Sequence, residues 1–378
     1  MNTNQNSDQN SDILVTKPYL PPLGEYIQEL RELWDTAILS NQGVKYRQLQ
    51  KELQQFLGVP QAELFANGHL ALEAALSIFD LHGEIITTPF TFASTVQAIL
   101  RCGCNPVFCD INDYDFTIDA SKIEALITDK TTAILPVHVY GNICATDEIG
   151  ALADKYKLKV IYDAAHAFGE TYRSRSIAEF GDAVMFSFHA TKSFHTVEGG
   201  CVVYKDSSLT ERLQAFRQFG QVLGTDSFPY LGGNAKLSEL HAAMGLCNLR
   251  HYAEFTERRK MICSIYAREL GNKPGIKLSY NDPSIKRNYT YFPIVIEESG
   301  TGINREMVLA SLQNHHIYAR KYFSPLCSNF AIVKQLSSSG DTPMAKHVAD
   351  RVLALPCYDS LTADQAQRIC QIILDLYK

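Results

Sequence analysis

Three stretches of the 378-residue chain bring reactive side chains to the ends of apolar, strand-like runs. In KVIYDAAHAFGE the run ends at Asp163, and His166 follows. A carboxylate at a buried strand end is partly desolvated and needs a cationic or N–H partner; an ordinary cap or surface group is the alternative. In GDAVMFSFHATKSFHTVEGG a strand leads to Ser187 and then to Lys192, which stands between Phe188 and Phe194. Apolar surroundings lower the pKa of a lysine and leave a free amine able to condense with an aldehyde. A solvated or salt-bridged lysine is the alternative. In the third stretch, Asn67-Gly68-His69 precedes the helix-like LALEAALSIF, so the Gly68 and His69 amides would face an anion with a helix dipole behind them. An ordinary tight turn would use the same residues. Phe92, in TPFTFAST, lies just past a strand end, where it can cover a flat ring or fill the core.

Jointly these groups are more specific than any one of them. Pyridoxal 5′-phosphate needs a lysine for its aldehyde, an acid that keeps its pyridine nitrogen protonated, a flat group over the ring and donors for its phosphate. Each need has a candidate here. The phosphate-loop, H-E-x-x-H, G-x-S-x-G and strand-linked G-x-G-x-x-G patterns are absent, which weighs against nucleotide hydrolase, zinc protease, serine hydrolase and dinucleotide readings.

Composition narrows the class further. Hydrophobic residues make up 46% and charged residues 20%, ordinary globular usage that excludes disorder across the chain. With 41 acidic and 35 basic side chains the formal charge is −6, and no long basic run is present, so nucleic acid is not an expected partner. The ten cysteines form no C-x2-C pair and read as reduced, mostly buried small hydrophobes, with no metal site. MNTNQNSDQNSD has neither a basic start nor an apolar stretch, and no window of 18 apolar residues follows; the expectation is a cytoplasmic protein without a membrane segment.

The elements that must position these residues follow from periodicity. Residues 1–16 read as a disordered polar tail. LPPLGEYIQELRELWDTAIL spaces Ile27, Leu30, Leu33, Trp34 and Ile38 as one side of a helix, and a second helix over residues 45–57 stops at Gly58. GEIITTPF (83–90), NPVFCDI (105–111), TTAILPVHVYG (131–141) and KVIYDAA (159–165) read as buried strands separated by helices. This rhythm predicts an α/β fold with a mostly parallel sheet covered on both faces, and ligands at the carboxyl ends of its strands. A long helical stretch at 249–270 and GNKPG lead into a smaller α+β domain, with YTYFPIVI as a strand and MVLASLQNHHI and ADQAQRICQIILDLY as helices. The expected division is 17–250 for the large domain and 251–378 for the small one.

DAAHAFG, SFHATKSF, EGG, NGHLAL and GGNAKLSELHAAMG together resemble the DegT/DnrJ/EryC1/StrS sugar aminotransferases, and the resemblance runs from about Lys17 to the end. KPYLPPL, LPVHVYGN, ARKYFSPL and ALPCYDSL are most similar to members acting on dTDP-4-keto-6-deoxyglucose. The resemblance implies an aspartate aminotransferase-like fold (fold type I) and pyridoxal phosphate as cofactor. It implies that Lys192 holds the cofactor, Asp163 partners the pyridine nitrogen, and His166 lies beside the ring hydroxyl. Ser187 and the Gly68 and His69 amides would bind the phosphate, Phe92 would stack on the ring, and Asn234 would reach the phosphate in a neighbouring subunit of a homodimer with shared active sites. Two departures stand out: His69 occupies a position where the family usually has Thr, and LSNQGVKYRQL lacks the Gly-Pro common in relatives.

The implied reaction moves the amino group of L-glutamate to a nucleotide-linked ketosugar, for O-antigen or another surface glycan. Arg320, Lys321 and Tyr322 are candidate contacts for the pyrophosphate or sugar; a solvated loop is the alternative. Rival readings are amino transfer to C3 of a related ketosugar, a sugar dehydratase, which Lys192 argues against because those relatives usually carry His there, and a non-catalytic module that binds the cofactor or a nucleotide-sugar.

Overall fold

In the computed structural model, which describes residues 12–335 and 341–378, the apolar runs become seven strands of one sheet. In chain order these are β1 (Ala62–Phe65), β2 (Glu84–Thr87), β3 (Asn105–Phe108), β4 (Thr131–Ile134), β5 (Lys159–Asp163), β6 (Ala183–Ser187) and β7 (Gly200–Tyr204). They lie in the order β1-β7-β6-β5-β4-β2-β3, and all are parallel except β7, which runs against both neighbours. Both faces are covered, and the alternation of side chains shows it. Ile86, Val160, Tyr162, Val184 and Phe186 enter one core with Leu49 and Leu53 of helix α2 (Val44–Leu57). Their neighbours Ile85, Ile161, Ala183 and Met185 enter the opposite core with Leu72 and Leu76 of helix α3 (Gly68–Ser77).

Several expected boundaries move. The run at 131–141 is strand only to Ile134; Tyr140 takes φ 58° inside a short helical turn, which bends the chain over the carboxyl end of β5. The stretch at 249–270 is two helices, Glu239–Arg250 and Tyr252–Leu270, broken at His251. The polar tail expected over residues 1–16 is shorter than that. Ile13–Leu14 pairs in parallel with Ile317–Tyr318, and Ile13 is buried, because two apolar residues suffice to complete a strand edge; residues 1–11 lie outside the described residues. Helix α1 (Leu23–Thr36) forms as expected, yet it buries only Glu29 and Leu33 and leaves Ile27 and Trp34 exposed. Helix α2 ends at Gly58 in the left-handed conformation with φ 69°, as its sequence anticipates.

The C-terminal part has its own antiparallel sheet of β8 (Ile276–Leu278), β9 (Phe292–Ile296) and β10 (Val352–Leu355), in that order. Helices Arg305–Asn314, Ala363–Asp375 and Tyr252–Leu270 share a core with it. A small sheet pairs Thr171–Tyr172 with Ile285–Lys286 and so fastens the segment before β9 to the large sheet's side of the molecule. All ten cysteines are free thiols and nine are buried. Among the described residues no helix is long and apolar enough to cross a membrane.

Close packing behind the Asn67–Gly68 turn sets how precisely it can be held. A Cβ on Gly200 would lie 2.5 Å from Asn67 O and 2.8 Å from Gly68 Cα, both backbone atoms that cannot swing away. Gly200→Ala is therefore expected to lower the urea unfolding free energy by about 1–3 kcal/mol and to shift that turn; an unchanged unfolding midpoint would show that the turn is not tightly packed against β7.

Candidate active site

Strand β5 ends in a carboxylate that has almost no access to water. Asp163 is 4% exposed. Its Oδ2 accepts from Thr95 Oγ1 at 2.8 Å and its Oδ1 from the Ala165 N–H at 3.1 Å. Burial pushes its pKa above the ordinary carboxylate value, against the pull of those two donors and of Lys192. Thr95 sits in helix α4 (Ala93–Arg101), which opens directly after Phe92.

Lys192 comes from the loop after β6, whose flanking Phe188 and Phe194 are fully buried. Burial drops its pKa to about 8, with Asp163 and Tyr322 opposing the fall. At neutral pH this leaves roughly two orders of magnitude more free amine than an ordinary lysine has. Its Nζ lies 3.5 Å from Tyr291 Oη and 5.7 Å from the centre of that ring.

His166 is buried and its Nδ1 accepts the Tyr140 N–H at 3.1 Å, so the left-handed turn at Tyr140 fixes the imidazole tautomer. Burial first, then Lys192, hold its pKa well below the usual histidine value. The ring is neutral, with its proton on Nε2. It packs parallel to Phe323, with centroids 5.8 Å apart, and tilted against Tyr291 at 4.7 Å.

The third component is the start of α3. Asn67 caps the helix, its Oδ1 accepting the Leu70 N–H at 2.9 Å, which leaves the Gly68 and His69 amides at the open first turn. A Cβ on Gly68 would fall 2.6 Å from Ser187 Cβ, so only glycine lets the helix start and the end of β6 meet this closely. A cradle of two amides and the Ser187 hydroxyl results.

These pieces border one cavity of about 610 Å³. Of the residues singled out in the sequence, it is lined by Gly68, His69, Phe92, Asp163, His166, Ser187, Lys192 and Tyr322. Phe92 caps its edge, 60% exposed and 6.4 Å from the Phe323 ring. Three of the singled-out residues are elsewhere. Asn234 is exposed and outside this cavity. Arg320 pairs through its backbone with Ala354 and points outward, and Lys321 is held by Glu306 at 2.7 Å. The sequence reading had not singled out Tyr291, Phe323 or Thr95. Tyr291 stands 99 residues from Lys192, a separation at which no local pattern reports a contact; Thr95 is a serine/threonine among several in TPFTFAST.

A carboxylate, an amine of depressed pKa, a neutral imidazole and an anion cradle in one cavity form a constellation for amine–carbonyl chemistry. Comparison with known proteins agrees: the model of the DegT/DnrJ/EryC1/StrS aminotransferase family matches residues 24–374. The chain belongs to this family. It is 38% identical over 364 residues, 96% of this chain and 99% of the relative, to dTDP-4-amino-4,6-dideoxy-D-glucose transaminase of Shigella dysenteriae, and 39% identical over 367 residues, 96% and 98%, to the Escherichia coli protein of that name. Among solved structures, DesI in the presence of its TDP-sugar product superposes with a TM-score of 0.93 at 32% identity, covering 98% of this chain and 94% of that one. Helicobacter pylori PseC, an aminotransferase of pseudaminic acid biosynthesis, gives 0.90 at 27%, covering 97% and 99%.

The architecture is thus fold type I, and the family's aminotransferases depend on pyridoxal phosphate. The residues present fit that group, because the Gly68 cradle, which a Cβ would fill, lies in the same cavity as Lys192 and the buried Asp163.

The charge coupling has a testable sign. Condensation of the cofactor-free chain with pyridoxal, followed by absorbance, should speed up with pH and level off near the Lys192 pKa of about 8. Because the Asp163 anion raises that value, Asp163→Asn should move the plateau to lower pH. A plateau moving upward would refute the coupling.

Proposed function

We propose that this chain transfers the amino group of L-glutamate to C4 of dTDP-4-keto-6-deoxyglucose, giving dTDP-4-amino-4,6-dideoxyglucose for O-antigen or another surface glycan. The observation that carries this reading is the meeting of Lys192 and Asp163 in one cavity, in a chain whose full-length relatives at 38% and 39% identity bear the name of that transaminase. The proposed setting is the cytoplasm.

Lys192 would hold the cofactor, Asp163 would face its ring nitrogen, His166 its ring hydroxyl, and Phe92 its flat face. Ser187 with the Gly68 and His69 amides would take its phosphate. When bound, pyridoxal phosphate supplies an electron sink for the carbon that loses its proton.

The chain's own groups do the rest. In the first half-reaction Lys192 Nζ, freed as a neutral amine, takes the proton from Cα of glutamate; in the second, run in reverse, the same Nζ returns a proton to C4 of the sugar. Its depressed pKa suits both directions near neutrality. Asp163 stabilises positive charge at the ring nitrogen, and its burial makes that interaction stronger than it would be in water. His166 donates from Nε2 because Nδ1 is already occupied by the Tyr140 amide. Tyr291, Tyr322 and Phe323 line the cavity from the C-terminal part of the chain and would screen the reacting carbon from water.

A homodimer with shared active sites is part of this reading. Its support is the exposed apolar surface of one chain, with Trp34 at 74%, Phe228 at 60% and Leu231 at 96%, and the exposed position of Asn234 outside its own chain's cavity.

Incubation with glutamate and a panel of dTDP-, UDP- and GDP-linked 4-keto and 3-keto sugars, with products identified by mass and NMR, tests the reading. The expected product is the 4-amino dTDP-sugar; an amine at C3, or no amination, would overturn it. Lys192→Ala should reduce steady-state transamination by roughly 10³-fold or more, and turnover retained in that variant would contradict the assignment of Lys192.

A further inference from the structure

Two of the ten cysteines touch each other, away from the cavity already described. Cys263, in helix Tyr252–Leu270, and Cys357, two residues past the end of β10, place their sulfurs 3.5 Å apart. Both are buried, at 7% and 1% exposure. The backbone around Cys357 is tied on two sides: its N–H donates to Val15 O at 3.1 Å, and Tyr266 Oη, from the helix that carries Cys263, donates to Pro356 O at 2.8 Å. The two sulfurs are thus held facing each other. A bond between them shortens the distance by about 1.5 Å, which small side-chain rotations supply.

Hydrogen bonds distinguish the two thiols. Cys357 Sγ donates to Tyr289 O at 3.3 Å, so the hydrogen between the sulfurs comes from Cys263. That donation, with the Arg259 charge behind it, holds the Cys357 thiol below its ordinary value, against burial and Asp359. Cys263 stands well above, because its hydrogen is given to Cys357 and because it is buried. Arg259 lies one turn before Cys263 on the same side of the helix. It is 2% exposed, and its Nε has no hydrogen-bond partner among the described residues. A buried guanidinium short of a partner favours an anion beside it, and of the two thiols that feel its charge Cys357 ionises more readily.

We propose that Cys357 and Cys263 form a reversible oxidation site for a small hydroperoxide, with Cys357 as the nucleophile and Cys263 as the resolving thiol. The Cys357 thiolate attacks one oxygen of hydrogen peroxide; an S–O bond forms as the O–O bond breaks, and the departing hydroxide takes the proton that the thiol gave up. The Cys263 sulfur then attacks the Cys357 sulfur, and the hydroxyl leaves as water with the Cys263 proton. Two thiols and one peroxide become one disulfide and two waters, with two electrons passing from sulfur to oxygen. Burial selects the oxidant by size, because peroxide is hardly larger than water whereas a peptide disulfide must bring its own sulfur against Cys357. The site stands independently of the cofactor reading, but it touches the cavity wall. A disulfide has no hydrogen to give, so Tyr289 O loses its donor. Tyr289, at φ 54°, follows Asn288, which is bonded to the His166 and Phe168 carbonyls, and stands two residues before Tyr291, whose Oη lies 3.5 Å from Lys192 Nζ. Oxidation therefore loosens the wall over that lysine.

The test treats the full-length chain with hydrogen peroxide, blocks the remaining thiols in denaturant and weighs the unreduced tryptic peptides. Cys263 is the single cysteine of residues 261–268 and Cys357 that of residues 352–368, so the linked pair has a mass of its own, which dithiothreitol should abolish. Cys263→Ala should stop at a Cys357 sulfenic acid that dimedone labels, and Cys357→Ala should leave Cys263 unlabelled and unlinked. Both thiols blocked as in the untreated chain, or linked to other cysteines instead, overturns the site. Dimedone labelling of Cys263 in Cys357→Ala overturns the choice of nucleophile. Oxidised glutathione should label neither sulfur, and an adduct on Cys357 overturns the selection by size. The oxidised chain, freed of peroxide, should condense with pyridoxal more slowly than the reduced chain, a difference that vanishes in Cys357→Ala. Equal rates overturn the link to Lys192 and leave the disulfide standing.

Discussion

Asp163 and Lys192 form an unequal pair inside a low-dielectric site, and each makes the other's charge tolerable. Burial penalises both ionised forms: it pushes the aspartate up and brings the lysine to about 8, while each exerts an opposing pull on its partner. The Ala165 amide and the Thr95 hydroxyl oppose that burial at the carboxylate more than Lys192 does, and the Thr95 bond fixes α4 against the end of β5. The parallel sheet is what allows this. Only the carboxyl ends of neighbouring strands bring Asp163 and the Ser187–Lys192 loop to the same edge.

The second half of the cavity wall comes from far along the chain and is fastened by hydrogen bonds to backbone. Asn288, 1% exposed, donates from Nδ2 to the carbonyls of His166 and Phe168 at 2.9 and 3.1 Å, and its N–H donates to Glu170 Oε1 at 3.0 Å. Thr290 in turn bonds to Asn288 Oδ1. Tyr291 follows immediately, so the position of its ring over Lys192 is set by a clamp on the loop that carries His166. Glu170 itself is buried, and its pKa is raised to about 8 by that burial. A protonated, neutral carboxyl costs far less to bury there than an anion. Tyr140, His166 and Phe323 have nearly parallel rings, each pair 5.8–6.4 Å apart between centroids, and complete an aromatic wall.

Size does as much as charge at the anion end. Gly68 meets Ser187, and Gly200 meets the Asn67–Gly68 backbone, at distances that admit no side-chain carbon. Two glycines, one on α3 and one on β7, therefore bring a helix start and the ends of β6 and β7 into a single cradle. The side chain next in line, His69, reaches sideways to α4 and does not enlarge that contact.

What the sequence determined by itself is the local chemistry and its periodicity. The alternating apolar runs specified a parallel sheet, the glycine at position 58 ended its helix, and strand-end placement of Asp163 and the apolar flanks of Lys192 marked both as groups that burial would perturb. These follow from backbone geometry within a few residues. Only the tertiary structure decided how long the strand after Thr131 could run, where the helix broke at His251, and that the apolar side of α1 stays largely exposed on a single chain. It also decided which distant side chains complete the cavity: Tyr291 and Phe323 enter it, whereas Arg320 and Lys321, two and one positions before Tyr322, lie outside its lining. The physical reason is range. Periodicity and capping act over one or two turns, while the approach of Tyr291 to Lys192 depends on two sheets, a clamp at Asn288 and close packing at glycines that no short window of residues contains.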